Sequence, residues 1–224
     1  MDNKKNLVLI GSSSELAKEF ISINSQFNLY QVTSNGKTQD SNNILFVKNY
    51  LSESNKIIDF CEDIYNPVII FFNGYLKENR PFESPNLDEI IKTFEINFLI
   101  PFELTKKMLN KNLKIKKFVY ISSFASVKAR YKNFIYGSSK RLLEDSIREE
   151  NLSSYLIVRF GKINSSFSAN HNKSYFDLEI NYAAKKLYQL VENRKGIVYP
   201  NLITRILAIL IKLTPKSVIK KINL

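Results

Sequence analysis

NLVLIGSSSELAKEF, residues 6 to 20, changes its periodicity at the centre. Its first five residues are almost continuously apolar, as in a strand buried on both faces, whereas from Glu15 onward the apolar residues recur at helical spacing. Gly11 stands between the two, where a glycine permits a tight turn and the helix behind it offers free N–H groups to an anion such as a pyrophosphate. Alone this is weak, because a strand ending in glycine and serines is often only a helix cap. The elements that follow give it weight.

FNLYQVT (27–33) and NILFV (43–47) read as a second and third strand, SESNKIIDFCEDI (52–64) as a helix and PVIIFFNG (67–74) as a fourth strand. NLDEIIKTFEINFLIPFELTKKMLNKN (86–112) has helical periodicity, interrupted near Pro101. KKFVYISS (116–123) reads as a fifth strand, NFIYGSSKRLLEDSIREE (133–150) as a helix and SSYLIVRFG (153–161) as a sixth strand. The helix EINYAAKKLYQLVENR (179–194) and a short seventh strand, GIVYP (196–200), follow. Strands alternating with helices predict an α/β fold, a Rossmann-like doubly wound parallel sheet of about seven strands with helices on both faces. Residues 1–201 are expected to form one domain and 202–224 an apolar, basic helical tail. Ligands of such a sheet bind at the carboxyl ends of the strands, so the loops after each strand are the place to look for chemistry.

The 224 residues suffice for one full core, and 44% hydrophobic with 24% charged residues is a globular composition. Cys61 is the only cysteine and His171 the only histidine, which excludes an internal disulfide, a cysteine metal cluster and a Ser-His-Asp triad away from residue 171. No early segment has the make-up of a secretory leader, so a reducing cytoplasm is expected. The formal charge of +12 invites a nucleic-acid reading, but the basic residues are dispersed except at the C-terminus and no recognition motif is present; no nucleic-acid partner is expected.

Tyr136 and Lys140, in FIYGSSK, lie four residues apart and share one helix face. Ser123 lies thirteen residues before Tyr136, and Asn97 lies on the long helix after the fourth strand. GSSSELA, FFNG, Asn97, ISS and YGSSK resemble, in order and spacing, the short-chain dehydrogenase/reductase pattern TGxxxGxG, NNAG, Asn, Ser and YxxxK, over nearly the whole chain. The resemblance departs at the glycines, since only Gly11 of the three is kept, with Glu15 and Ala17 in the other places; NNAG is reduced to Asn73-Gly74, and Phe160 replaces the proline of a PG pair.

The resemblance implies a nicotinamide dinucleotide at Gly11, Ser13, Ser14, Glu15 and Leu16 of the first turn and at Thr33, Ser34, Asn35 and Lys37 after the second strand. It extends the cofactor contacts to Asn49 and Tyr50, Asn73 and Gly74, Tyr136 and Lys140, and to Gly161, Ile163 and Ser165 after the sixth strand. An acid at the end of the second strand would hold the ribose 2′-hydroxyl of NAD; QVTSNGK has none before Asp40, and Lys37 can meet a 2′-phosphate, so NADPH is expected over NADH.

Reducing a ketone requires a proton for the developing alkoxide. A tyrosine, ordinarily near pKa ~10, supplies it best with positive charge close by, which Lys140 provides one turn away. Ser123 would orient the substrate oxygen. By resemblance Lys140 also binds the nicotinamide ribose, and Asn97 holds a water linking Lys140 to solvent. SFSANHNKSYFDLEINY (166–182), with His171 and Tyr175, is the expected substrate loop.

After Glu192 no acid occurs, and LITRILAILIKL (202–213) is too short for the roughly 20 residues that span a bilayer. As a helix it can lie in a membrane interface with Arg205, Lys212, Lys216, Lys220 and Lys221 toward anionic lipid, or pack on the sheet or a partner subunit. This ending and NFIYGSSK resemble the decaprenylphosphoryl-2-keto-erythro-pentose reductase branch of cell-surface polysaccharide pathways. That implies a lipid-linked 2-keto sugar as substrate, a separate flavin oxidase that makes the ketone, and a homodimer or homotetramer peripheral at the inner face of the cytoplasmic membrane. The alternatives are a general carbonyl or 3-oxoacyl reductase acting on a soluble small molecule, and, given the lost glycines, a catalytically silent dinucleotide-binding protein.

Overall fold

The computed structural model describes residues 4–35, 42–77, 86–128, 130–131, 133–150, 152, 154–166, 177–215 and 217–218. Lys37, His171, Tyr175 and the tail residues Lys216, Lys220 and Lys221 lie outside them.

The expected strands are all present: β1 (Asn6–Ile10), β2 (Asn28–Thr33), β3 (Ile44–Phe46), β4 (Val68–Phe71), β5 (Lys117–Ser123), β6 (Tyr155–Phe160) and, last in the chain, β9 (Gly196–Val198). They form one parallel sheet in the order β3-β2-β1-β4-β5-β6-β9. Alternate residues of β1 feed two cores. Leu7 and Leu9 pack under α1 (Glu15–Ser22) and α6 (Ile180–Asn193), with Phe20, Ala184 and Leu187. Val8 and Ile10 face α2 (Ser54–Glu62), α4 (Ile100–Asn110) and α5 (Phe134–Glu149), with Ile57, Leu104 and Leu143. With both faces covered, β1 from Leu7 to Ile10 is fully buried, which is why its sequence is an unbroken apolar run. Cys61 is a core residue of α2, and burial pushes its thiol pKa up to about 12, so it is inert.

The long helix does not break at Pro101. α3 (Leu87–Phe94) passes through a π-turn (Glu95–Leu99) into α4, and the N–H of Ile100 reaches back five residues to the Glu95 carbonyl. Proline has no N–H to continue the normal ladder, and the widened turn absorbs the irregularity. It leaves Asn97 fully buried and facing the loop after β4.

β7 (Ile163–Asn164) and β8 (Leu178–Glu179), which pair parallel just beyond β6, are not among the expected strands. Two-residue strands are too short to show any periodicity. The strand order reverses between β1 and β4, which opens a crevice at their carboxyl ends.

Candidate active site

A cavity of about 1160 Å³ lies along this edge. Ligand pockets commonly hold about 300–1,000 Å³, so it has room for a dinucleotide and a second molecule. Gly11 turns the chain at its floor with φ +82°, and a Cβ there would come 3.1 Å from the backbone nitrogen of Asn73. Only glycine allows both that backbone conformation and that approach. Ser13, Ser14, Glu15 and Leu16 line the cavity beside it, and Ser14 caps α1 by accepting the Ala17 N–H at 3.2 Å. Glu15 reaches across the cavity, where its carboxylate accepts the Ser166 N–H at 3.0 Å; the Ser166 hydroxyl and amide hold its pKa below the ordinary value.

At the ends of β2 and β3, Ser34, Asn49 and Tyr50 line the cavity, while Thr33 and Asn35 do not. The Thr33 hydroxyl instead accepts the Asn35 N–H at 3.1 Å, which shapes the turn. Asn49 lines the wall while its Oδ1 accepts the N–H groups of Leu51 and Ser52. Lys48 also lines this end, a residue not singled out in the sequence. The hydrogen bond from Val47 N–H to the Thr33 carbonyl sets Lys48 beside Ser34.

Past β4, Asn73 and Gly74 line the wall. Asn73 Oδ1 is buried with no hydrogen-bond partner among the described residues, a state that marks a group awaiting a ligand or water. Asn97 does not line the cavity; its side-chain amide donates to the Tyr75 carbonyl at 2.8 Å and accepts the Tyr75 N–H at 3.0 Å. It therefore pins the loop that follows Asn73 and Gly74. Gly161, Ile163 and Ser165 complete this part of the wall beyond β6.

Ser123, Tyr136 and Lys140 meet in the middle. Ser123 ends β5, and its hydroxyl is hydrogen-bonded to that of Tyr136. Burial raises the phenol to about 12, against the Ser123 bond, and the Glu144 carboxylate acts in the same direction as burial. The Lys140 ammonium donates to the carbonyls of Asn73 at 3.1 Å and Ile121 at 3.0 Å, and burial lowers its pKa to about 8. It thus tethers the β4 and β5 loops to α5.

Sequence reasoning missed the next turn of that helix. Glu144, 1% exposed, accepts from the hydroxyls of Ser122 and of Ser126 at 2.7 Å and from the guanidinium of Arg159, whose Nη1 in turn donates to Tyr199 at 2.9 Å. Ser122 and Ser126 flank Ser123 and its short turn, so the buried pair fixes the strand end that presents Ser123. The signal was the spacing: Tyr136, Lys140 and Glu144 fall four apart on one face of α5.

α7 (Leu202–Leu213) forms part of the cavity wall through Thr204, Leu207 and Ile211, and the Lys128 ammonium donates to the Thr214 carbonyl just beyond its end. Its other side leaves Leu202, Ile203, Ile206, Ile209, Leu210 and Leu213 exposed. No described helix is long and apolar enough to cross a membrane.

No protein-family model matches the sequence, and no curated protein matches it. Solved structures match closely in shape. A short-chain dehydrogenase from Burkholderia cenocepacia, in complex with NADP, superposes with a TM-score of 0.76 at 12% identity, over 96% of this chain and 100% of that one. ElxO with NADP bound gives 0.69 at 16% identity, over 88% and 96%. The aldohexose dehydrogenase of Thermoplasma acidophilum gives 0.68 at 12% identity, over 88% and 92%. The chain has the fold of the short-chain dehydrogenases and reductases.

Proposed function

We propose that this chain is an NADPH-dependent reductase of a keto group on a sugar, acting in cell-surface polysaccharide synthesis on a lipid-linked 2-keto sugar. The observation that carries the reductase reading is the meeting of hydrogen-bonded Ser123 and Tyr136 with Lys140, one helical turn on, in a cavity at the switch point of the sheet.

The residues present fit the dinucleotide. Gly11 leaves space against Asn73 that a side chain would fill, the buried Asn73 Oδ1 lacks a partner among the described residues, and the N-terminus of α1 faces the cavity beside Ser13 and Ser14. Ser34 and Lys48 supply a hydroxyl and a cation for a 2′-phosphate, in place of the acid that would hold a free 2′-hydroxyl. The NADP found in two of the structural neighbours supports the same choice.

Bound NADPH supplies the hydride that the carbonyl carbon accepts. Ser123 orients the carbonyl oxygen from its fixed place at the end of β5. Tyr136, whose raised pKa keeps it protonated at neutral pH, gives its hydroxyl proton to that oxygen as negative charge gathers there. Lys140, one turn along the helix, steadies the resulting phenolate with its ammonium and meets the ribose on this reading; its place in the same cavity wall supports it.

Leu76, Ile96 and Phe124, with Leu207 and Ile211 of α7, give the substrate end of the cavity an apolar wall, which supports an amphiphilic substrate. α7 has one side on the cavity and an exposed apolar side with Arg205 and Lys212 exposed along it, the make-up of an interfacial helix. On this reading the protein is peripheral at the inner membrane face and draws its substrate from the bilayer, and a separate flavin oxidase makes the ketone. Replacing Ile206 and Ile209 with Glu tests it. Binding to anionic liposomes and turnover of a polyprenyl-phosphate 2-keto sugar in those liposomes should fall together, while reduction of a soluble ketone persists. Liposome binding equal to that of the unaltered protein would remove the membrane from the account.

A further inference from the structure

Two partly buried arginines line this region, and among the described residues only one has a carboxylate partner. Arg159 meets Glu144 and Tyr199. Arg130 lies in the loop between the short turn after Ser123 and α5, and lines the cavity that Phe124 and Tyr136 also line. Its guanidinium carbon is 5.8 Å from the centre of the Phe124 ring. Its Nε is buried with no hydrogen-bond partner among the described residues, and no described acid or carbonyl engages the guanidinium. Burial alone acts on its pKa, downward. An unpaired buried cation is costly to hold. A planar fork of donors facing a cavity is also the arrangement that meets a phosphate or carboxylate with two parallel hydrogen bonds.

We infer that Arg130 binds the phosphate group of the substrate, and so selects a phosphorylated ketose over a neutral one. This rests on the reductase reading, because it places Arg130 on the substrate side of Tyr136. The cofactor's own phosphates are not the partner. They belong at the Gly11 turn and the ends of β2 and β3, and β2 is three strand spacings from β5, about 14 Å across the sheet. A phosphate ester, not an isolated anion, fits because the guanidinium has an aromatic ring beside it, with Asn133 the polar neighbour in the lining. Phe124 lies under the guanidinium, Leu207 and Ile211 of α7 line the same cavity, and Lys128, in the loop that carries Arg130, donates to the Thr214 carbonyl beyond the end of α7.

The test is calorimetric titration of the NADPH-saturated protein with farnesyl phosphate, farnesol and uridine diphosphate, for the wild type, Arg130→Gln and Arg130→Lys. Farnesyl phosphate should bind more tightly than farnesol. Arg130→Gln should weaken the phosphate about tenfold to a hundredfold, the size of a charged hydrogen-bonded contact, and leave farnesol unchanged. Arg130→Lys should keep part of the affinity. Removing an uncompensated buried charge should leave the melting temperature of the ligand-free Arg130→Gln protein at or above that of the wild type, which separates a binding role from a structural one. Binding of uridine diphosphate that depends on Arg130, without binding of farnesyl phosphate, would uphold the phosphate site and overturn a lipid as its bearer. Equal effects of Arg130→Gln on farnesol and its phosphate, or no effect on either, would overturn the inference. If the wild type does not bind NADPH at all, the reductase reading fails instead.

Discussion

Raising the pH should weaken NADPH binding through one side chain. Lys140 is 3% exposed, and burial lowers its ammonium from 10.5 to about 8, with the Glu144 carboxylate acting in the opposite direction. At pH 7 roughly nine in ten molecules then carry the charged form, and at pH 9 roughly one in ten. If the charged form is the one that meets the ribose, apparent affinity scales with that fraction, so the dissociation constant should rise about tenfold across those two pH units, or about 1.4 kcal/mol. Titration of NADPH fluorescence from pH 6 to 9.5 reads this directly. Lys140→Met should remove the inflection and bind NADPH weakly at every pH. The same titration acts on stability with the opposite sign. Because folding depresses this lysine's pKa, the unfolded chain holds more protons between pH about 8 and 10.5, and stability gains from this residue as pH rises through that window. An NADPH affinity unchanged between pH 7 and 9.5, or an inflection that survives in Lys140→Met, would refute the reasoning.

Glu144→Ala should destabilise the protein by about 3–5 kcal/mol in urea unfolding, because it leaves Arg159 half-buried without its carboxylate and strips a partner from Ser122 and Ser126. Lys48→Ala should weaken NADPH about tenfold and leave NADH unchanged, given the loss of one charged contact to the 2′-phosphate. Ser34→Asp should shift the preference toward NADH, by repelling that phosphate and offering an acceptor to the free hydroxyl.

The fold was legible in the sequence because a parallel sheet covered on both faces writes itself as apolar runs between helical periodicities, as in 6–10, 68–71 and 155–160. α5 and α7 fall where their periodicity put them. The candidate site was legible where a motif fixes a residue to an element, and Ser123, Tyr136 and Lys140 line one cavity. What could not be read were partnerships that need the third dimension. Asn97 spends its amide on the backbone of Tyr75, and nothing near residue 97 in the chain indicates that. Arg159 finds Glu144 because β5 and β6 pair Ser122 with Arg159 in register. Lys48 reaches Ser34 through strand pairing, and Thr33 and Asn35 turn toward each other. The lost glycines motivated the alternative of a catalytically silent dinucleotide-binding protein. In the structure Gly11 alone makes the close approach to Asn73, while Glu15 turns its carboxylate to Ser166.

The central claim is that Tyr136 delivers a proton to a ketone in an NADPH-bound site. Its most direct test is Tyr136→Phe, with NADPH binding and single-turnover reduction of a polyprenyl-phosphate 2-keto sugar measured on the same preparation. Since the phenol acts on the substrate and not on the cofactor, NADPH affinity should stay close to wild type while reduction falls at least about a hundredfold, the range of a lost general acid. Reduction within tenfold of wild type, with cofactor still bound, would contradict the account.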